Sequence, residues 1–455
     1  MLSLAILLLP LGLLIWTVYR GWPVLLAAPV MALFAAGLAF DPLLATLTQR
    51  FMPAAGGFVT AFLPLFLLGA VFGKVMEASG AAMTLARAIV ARLGAGRAIP
   101  AVVLSCAALT YGGVSLFVVA FAVYPLALAL FRAADLPGRL IPAAIALGSF
   151  TFTMSALPGS PAIQNAIPMP YFGTTVFAAP GIGVIAGLIM ALGGLVYLGL
   201  LARRDGSGGW DDTPDDTGGD RDLPPLWVAL APILTVFAAN WLLAEAVLPR
   251  LDLAYLADPA WGATTASRVI GLWALIGALT LAILLALALG RRRLGDPRAV
   301  LGQGAQAALL PLFNTAALVG FGAVVAALPA FTAVNAALAQ VPGGALTGLA
   351  ASASVLAGIT GSASGGMSIA LDALGARYFD MALAEGIDPA ALHRIVALAT
   401  GGLDALPHNG AVVTLLGIAG LTHRQAYGPI FVVAVAIPVV ALIVALLIAT
   451  QVGVF

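Results

Sequence analysis

The chain has 455 residues, of which 62% are hydrophobic and only 9% are charged, and its formal net charge is +1. A soluble protein of this length could not cover its surface with so few polar groups, so the composition indicates a polytopic membrane protein. The balanced charge and the lack of basic stripes argue against nucleic-acid binding. A single cysteine, Cys106, excludes an internal disulfide and a cysteine-built metal site.

A membrane-spanning helix needs about 20 mostly apolar residues, and the first segments of the chain meet this length. Residues 2–19 lack a basic start and a cleavage site, which predicts a retained helix rather than a signal peptide. Residues 22–40 and 58–76 are predicted spans, separated by a more polar connection at 41–57. Residues 77–97 carry three arginines and are predicted to form an amphipathic helix on the cytoplasmic surface.

Two apolar segments with glycine-rich centres are predicted to be re-entrant hairpins. Residues 99–131 are too short for two full spans, yet both flanks are basic, and basic loops remain in the cytoplasm. We therefore predict a hairpin that enters from the cytoplasm; two short ordinary spans are the alternative. Residues 342–375 form the second predicted hairpin, which enters from the external side because little positive charge flanks it.

Two further spans are predicted to be broken by proline. Residues 140–176 contain Pro158 and Pro161, which predict a break at 156–165 and a helix that resumes from Ile163 to Val176.

The second predicted break, at 401–410, interrupts the apolar segment 391–421 and places Asp404 and His408 at bilayer depth. Non-helical backbone is tolerated there only where protein or a water-filled cavity satisfies its polar groups. Ionisable groups at that depth mark ion or substrate pathways, so we interpret this break as half of a transport site.

An acidic stretch at 205–225 is predicted to be a cytoplasmic linker between a first half, 1–204, and a second half, 226–455. Each half contains about five spans, one hairpin and one broken helix in the same order. Because five is an odd number, the halves are predicted to be inverted repeats of an all-α polytopic membrane protein, with both termini external. Matching broken helices in inverted repeats indicate the midplane site of a secondary transporter.

The predicted substrate-binding residues are the small and polar groups of the hairpin tips and breaks. They are Thr110, Gly112, Gly113, Ser115, Ser155, Gly159, Ser160, Gln164, Asn165, Thr360, Gly361, Ser362, Ser364, Gly365, His408 and Asn409. Because no arginine or lysine occurs in these segments, we expect half-helix N-termini and hydroxyl or amide donors to hold an anion. The alternative is that these residues only allow close helix packing and bond to their own backbone.

Coupling requires a group that gains and loses charge, and Asp404 and His408 are predicted to exchange a proton if they keep helical spacing. The alternative is that Asp404 caps a half-helix and His408 is a packing residue. Lys74 and Glu77 are interpreted as a structural ion pair. Asp372 follows the second hairpin tip, and its side chain is predicted to face either water or the transport site.

The other ionisable residues are interpreted as topology markers: His393, His423 and the surface arginines.

The chain resembles the gluconate permease (gluconate:proton symporter) family of the ion transporter superfamily. The segments that carry the resemblance are 72–82, 110–117, 151–165 and 401–410. The sequence at the first break is closer to a branch linked with short hydroxy acids such as 3-hydroxybutyrate. The resemblance implies an elevator-type carrier with a scaffold and a moving transport domain, commonly a homodimer, in the bacterial inner membrane.

Together these features predict a proton-coupled symporter that takes up a small organic anion, such as a hydroxy-monocarboxylate or a gluconate-like sugar acid, without a cofactor. A sodium-coupled carrier of the same architecture is the alternative, since glycine carbonyls and hydroxyls also suit Na⁺. An intramembrane enzyme is disfavoured: there is no His-Glu-x-x-His, and Ala363 stands where a Gly-x-Ser-x-Gly nucleophile would be. A passive channel is a third option.

Overall fold

The computed structural model describes residues 9–14, 16–17, 20, 22–114, 116–208, 223–328, 344–407 and 409–454. These residues form helices and their connections, and no strand occurs among them. In this part of the chain, six helices are long and apolar enough to span a membrane: Leu43–Ala78, Pro180–Asp205, Leu226–Arg250, Pro259–Gly290, Pro297–Ala326 and His423–Gln451. The prediction of an all-α polytopic membrane protein is confirmed.

In the first half of the chain, ten helices are described along their whole length. Its helices are α1 (Val24–Leu38), α2 (Leu43–Ala78), α3 (Ala81–Leu93), α4 (Ala98–Tyr111), α5 (Leu116–Ala133), α6 (Ile141–Ser149), α7 (Phe152–Ser155), α8 (Ile163–Ala166), α9 (Met169–Phe172) and α10 (Pro180–Asp205). Helices α4 and α5 form the first hairpin, and α6 to α9 form the first broken helix.

The second half repeats this order of elements. Its helices are α11 (Leu226–Trp241), α12 (Ala266–Gly290), α13 (Pro297–Ala326), α14 (Gly344–Thr360), α15 (Ala363–Ala384), α16 (Pro389–Leu403), α17 (Gly410–Ala419), α18 (His423–Phe431) and α19 (Ile437–Gln451). Helices α14 and α15 form the second hairpin, and α16 and α17 form the second broken helix.

Helix α2 is longer than predicted, because the expected polar connection at 41–57 is helical from Leu43 onward. A π-helical turn, Leu47–Phe51, ends two residues before Pro53. The missing N–H of Pro53 therefore falls where the bonding pattern already changes, and the helix continues through it.

The prediction of a continuous helix from Ile163 to Val176 is also wrong, because the helical segments found there are much shorter. After the first break the chain forms only two single turns, α8 and α9, with Pro168 and Pro170 at the second of them. Gly173 then ends α9 in the left-handed conformation, with a φ of +63°. Closely spaced prolines and a left-handed residue prevent a longer helix here.

Each hairpin packs against the broken helix of its own half: α4 lies along α6, and α14 lies along α16. Glycine makes these approaches close. A Cβ atom on Gly148 of α6 would lie 2.4 Å from the carbonyl oxygen of Val103 in α4. Within the second hairpin, a Cβ atom on Gly366 would lie 2.3 Å from the backbone of Ala357. Small residues are the usual means of bringing membrane helices into backbone contact.

The two halves interlock rather than lie side by side. Helix α5 of the first hairpin packs on α17, α6 packs on α18, and α7 packs on α16. One continuous apolar core accordingly includes residues of both halves. The outer face of α10, by contrast, is an exposed apolar stripe with a spacing of four residues: Val184, Leu188, Leu192, Val196 and Leu200. Such a face is suited to contact with lipid.

Candidate substrate and coupling site

The first break is held in shape by the tip of the first hairpin. The hydroxyl of Tyr111, the last residue of α4, donates a 2.6 Å hydrogen bond to the carbonyl oxygen of Pro158. Gly159 follows with a φ of +82°, and its N–H donates a 2.9 Å bond to the carbonyl of Val176. The break thus satisfies its backbone groups through protein contacts, as a non-helical segment inside a membrane must.

Asn165 closes the other side of the first break. Its Nδ2 donates hydrogen bonds of 3.2 Å to the carbonyl oxygens of Leu157 and of Ser160. The Oγ of Ser160 accepts a 3.3 Å bond from the backbone N–H of Ala162. Both side chains that were predicted to bind substrate are therefore also used to shape the break.

The second break has a corresponding tie to its own hairpin through Asn409. Its Oδ1 caps α17 by accepting from the N–H groups of Ala411 at 2.6 Å and Val412 at 3.0 Å. Its Nδ2 donates a 3.0 Å bond to the carbonyl of Gly361 at the tip of the second hairpin. In each half, one side chain therefore joins a hairpin tip to a break.

The hydroxyls of the second hairpin tip are partly committed to local bonds. Ser362 caps α15 by accepting a 3.1 Å bond from the N–H of Gly365, and its Oγ lies 3.4 Å from that of Ser364. Ser364 also lies 3.4 Å from the Oγ1 of Thr315 in α13. Thr360 donates to backbone carbonyls of its own helix. For Thr360 the structure therefore shows the local backbone bonding that the alternative interpretation describes.

Two polar groups with unused hydrogen-bonding capacity lie at the first hairpin tip and in the first break. Among the described residues, the Oγ1 of Thr110 and the Oε1 of Gln164 are buried without a hydrogen-bond partner. Gly113 is left-handed, with a φ of +94°, and a Cβ there would lie 2.9 Å from Pro161. A Cβ on Gly112 would lie 2.8 Å from Ile233 of α11. Gly113 thus allows the tip to approach the break closely, and Gly112 allows it to approach α11.

Asp404 follows α16 directly and is the carboxylate of the second break. One of its oxygens, Oδ1, is buried without a hydrogen-bond partner among the described residues. The backbone N–H groups of Ala405 and Ala363 interact with the carboxylate. Since Ala363 is the first residue of α15, the carboxylate lies at the positive end of that helix dipole. The predicted partner, His408, lies outside the described residues, as does Ser115.

The two breaks lie against each other. A Cβ atom on Gly401, near the end of α16, would lie only 2.5 Å from the Oγ of Ser155, the last residue of α7. The structure therefore brings the predicted site residues of both halves into one region.

Although no arginine or lysine occurs within the hairpin tips or the breaks, Arg394 of α16 extends to the first break from outside these segments. Its side chain is fully buried, and Nη1 donates a 2.8 Å hydrogen bond to the Oδ1 of Asn165. The carbonyl of Ala178 accepts from Nε at 3.1 Å and from Nη2 at 2.9 Å, and that of Val176 accepts from Nη2 at 3.2 Å. No carboxylate of the described chain lies within ion-pairing distance of Arg394.

The interpretation of His393 as a topology marker is wrong, because the residue is buried, whereas His423 lies at the predicted turn, as the first residue of α18. His393 is fully buried, and its Nδ1 lies 2.6 Å from the Oγ1 of Thr174. His423 lies 2.8 Å, through Nε2, from the carbonyl oxygen of Pro407 in the second break. His393 is therefore an internal contact, and His423 contacts the second break from the turn before α18.

A signal in the sequence could have placed His393 and Arg394 correctly. Apart from His393, Arg394 and Thr400, residues 391–402 are apolar or glycine on every face of α16, and the structure buries all of them. A helix that is apolar on all sides is surrounded by protein or lipid, so the few polar residues within it must also be covered. What they bond to is a tertiary question.

The structure also shows the contacts of two acidic residues outside the breaks, Asp372 and Glu77. Asp372 of α15 accepts a hydrogen bond from the hydroxyl of Tyr171 in α9. Lys74 and Glu77 form the predicted ion pair at 3.2 Å, with both side chains partly exposed. The described residues contain no group of three or more His, Cys, Asp or Glu side chains that could hold a metal ion.

Comparison with known proteins identifies the family to which the chain belongs. The sequence named "Uncharacterized transporter YxjC" from Bacillus subtilis is 41% identical over 452 residues, which is 95% of this chain and 95% of that protein. The chain belongs to the YxjC transporter family. The similarity to YxjC covers nearly the whole chain. Membership of this family identifies the protein as a membrane transporter rather than an enzyme.

More distant similarities are consistent with the YxjC relationship. A transporter from Haemophilus influenzae is 34% identical over 151 residues, 33% of this chain and 34% of its own length. The crystal structure of the YdaH transporter from Alcanivorax borkumensis has a TM-score of 0.53 and 19% identity, and the match covers 87% of this chain and 86% of YdaH. That likeness concerns the fold alone. No family model matches the sequence.

Proposed function

We propose that the protein is a secondary active transporter that takes up a small organic anion by proton-coupled symport. The substrate class is a hydroxy-monocarboxylate or a gluconate-like sugar acid, in keeping with the resemblance to gluconate permeases. The observation that supports an anion most directly is the buried guanidinium of Arg394, which has no carboxylate partner in the described chain. An uncompensated cation in a low-dielectric interior favours a negative charge nearby.

In this proposal the substrate carboxylate lies beside the first break, within the positive potential of Arg394. Thr110 has an unused hydroxyl there, and Gln164 has an unused amide oxygen that suits a substrate hydroxyl. Asn165 and Arg394 position the break and remain bonded to each other. A substrate with one carboxylate and one or more hydroxyls matches this combination of one cation with neutral donors and acceptors.

Asp404 is the proposed coupling group. Its buried, unpartnered oxygen is adjacent to the contact between the two breaks. Protonation of the carboxylate would remove a buried charge and let the site cross the membrane with a neutral second break. Sodium coupling is the alternative, because the carboxylate and the tip carbonyls also suit Na⁺.

The proposed assembly follows the superfamily resemblance. The two inverted repeats form a scaffold and an elevator-type transport domain in a homodimer of the bacterial inner membrane. Both termini are external and the 205–225 linker is cytoplasmic. The broken helices and the hairpins that carry the site move as one body.

The experiment that tests this function is uptake by the purified protein in liposomes. A panel of labelled 3-hydroxybutyrate, lactate, gluconate and succinate is offered under an inward proton gradient without sodium, and then under a sodium gradient without a pH difference. Concentrative uptake of a hydroxy acid under the proton gradient supports the proposal, and uptake under sodium alone supports the alternative. Downhill flux that neither gradient can drive uphill would indicate a passive channel.

A further inference from the structure

A cavity of about 450 Å³ lies outside the proposed transport site, between α3, α4 and the first broken helix. Leu104 of α4 lines it and is 44% exposed, so the cavity opens on the outer surface of the helix bundle. Arg92 near the end of α3 lines the same cavity and is exposed. Tyr111 and Leu157, each half-buried, also line it.

The lining offers almost nothing to water or to a small polar ligand. The hydroxyl of Tyr111 already donates to Pro158, and the Oγ1 of Thr153 already donates a 2.9 Å bond to the carbonyl of Gly148. A buried water needs two to four polar partners, which this cavity does not supply. Its natural content is therefore apolar, apart from whatever binds Arg92.

Arg92 supplies a cation at the mouth of this apolar space. It lies on an amphipathic helix, and no carboxylate of the described chain is within ion-pairing distance of it. Amphipathic helices with basic residues lie in the membrane interface, where the nearest anions are lipid phosphates. A ligand that matches both Arg92 and the apolar lining has an anionic head group and an apolar tail.

We infer that this cavity binds an anionic phospholipid, with the phosphate at Arg92 and one acyl chain between α3 and α4. The end of the chain would contact Tyr111 and Leu157, on either side of the hydrogen bond from Tyr111 to Pro158. A bound lipid would then stabilise the tie between the first hairpin tip and the first break. This site is independent of which ion or acid the protein transports.

Thermal unfolding of the purified full chain in detergent tests the head-group contact. Dioleoyl phosphatidylglycerol and dioleoyl phosphatidylcholine are added in parallel to the wild type, Arg92→Gln and Arg87→Gln. Arg87 is an exposed arginine of the same helix that does not line the cavity, so it is the matched control. We expect phosphatidylglycerol to raise the melting temperature of the wild type and Arg87→Gln by several degrees more than phosphatidylcholine does. For Arg92→Gln the two lipids should give the same melting temperature.

A second pair of variants tests the acyl chain. Ala108→Phe fills the cavity and leaves Arg92 in place, so the advantage of phosphatidylglycerol should disappear; Ala108→Leu should reduce it and serves if the larger side chain impairs folding. Glycerol phosphate, which has the head group without the chain, should have no effect. Equal stabilisation of Arg92→Gln and the wild type, or full stabilisation of both Ala108 variants, would overturn the inference. Stabilisation by glycerol phosphate would instead indicate a site for free phosphate.

Discussion

The guanidinium of Arg394 donates a 2.8 Å hydrogen bond to the Oδ1 of Asn165, a residue 229 positions earlier in the chain. This bond joins the second broken helix to the far side of the first break. Its neighbours strengthen the connection: His393 contacts Thr174, and Asp372 accepts from Tyr171. The first break and the segment after it are thus held by three polar side chains of the other half, Arg394, His393 and Asp372.

Replacement of Arg394 separates charge from hydrogen-bond geometry. Arg394→Gln removes the cation and leaves the carbonyls of Val176 and Ala178 short of donors, which costs about 1–3 kcal/mol for each unsatisfied group. Arg394→Lys keeps the cation but loses the planar fork. We expect both variants to unfold at lower temperature in detergent, and only Arg394→Lys to retain uptake of the acid, at a reduced rate.

Arg377, an exposed arginine of α15, provides the control, since Arg377→Gln should leave both quantities unchanged. A folded Arg394→Gln protein that transports at the wild-type rate would show that the buried charge plays no part in recognition.

Asp404→Asn should uncouple transport. The amide cannot gain or lose a proton, so we expect accumulation against a gradient to be abolished while counterflow of labelled substrate continues. The measurement is a comparison of uphill uptake and counterflow in the same proteoliposomes. Asp380→Asn, at an exposed carboxylate of α15, should behave as the wild type. Undiminished accumulation by Asp404→Asn would remove this residue from the coupling role.

Gly401→Ala should separate the two breaks. Its Cβ would lie 2.5 Å from the Oγ and 2.7 Å from the Cβ of Ser155, so one of the helices must move. Overpacking of this kind typically costs about 1–3 kcal/mol. We expect a lower melting temperature and slower transport, with partial recovery in the double variant Gly401→Ala, Ser155→Gly.

Gly417→Ala is the matched control, because nothing lies within 4 Å of a Cβ at that helical position. It should be neutral or slightly stabilising, since alanine favours a helix by about 1 kcal/mol over glycine. Equal melting temperatures for the two single variants would mean that α7 and α16 do not touch as described.

Two substitutions at Asn409 distinguish its roles. Asn409→Ala removes both the cap of α17 and the bond to Gly361, and loss of a cap alone costs about 1 kcal/mol. Asn409→Asp keeps an acceptor for the cap but cannot donate to Gly361. Thermal unfolding should therefore rank the wild type first, Asn409→Asp second and Asn409→Ala last. If Asn409→Asp has the same melting temperature as the wild type, the hydrogen bond between Asn409 and Gly361 contributes nothing to stability.

The amino-acid sequence by itself determined where the helices span, turn and break. Pro158, Pro161 and Pro407 interrupt apolar segments through a local effect, since proline lacks an N–H and clashes with the preceding turn whatever surrounds it. Glycine-rich tips are likewise a local property, and both hairpins are where their composition places them. Local rules also misled, because they did not anticipate that a π-helical turn carries α2 through Pro53.

Only the tertiary structure decided which side chains meet. His393 was interpreted as a topology marker and no role was predicted for Arg394, because charge in a sequence carries no information about a partner 200 residues away. Folding places Arg394 against the carbonyls of Val176 and Ala178, which can take donors because they lie in the non-helical connection between α9 and α10. Buried polar groups must be satisfied, but which groups satisfy them is determined by packing over the whole chain.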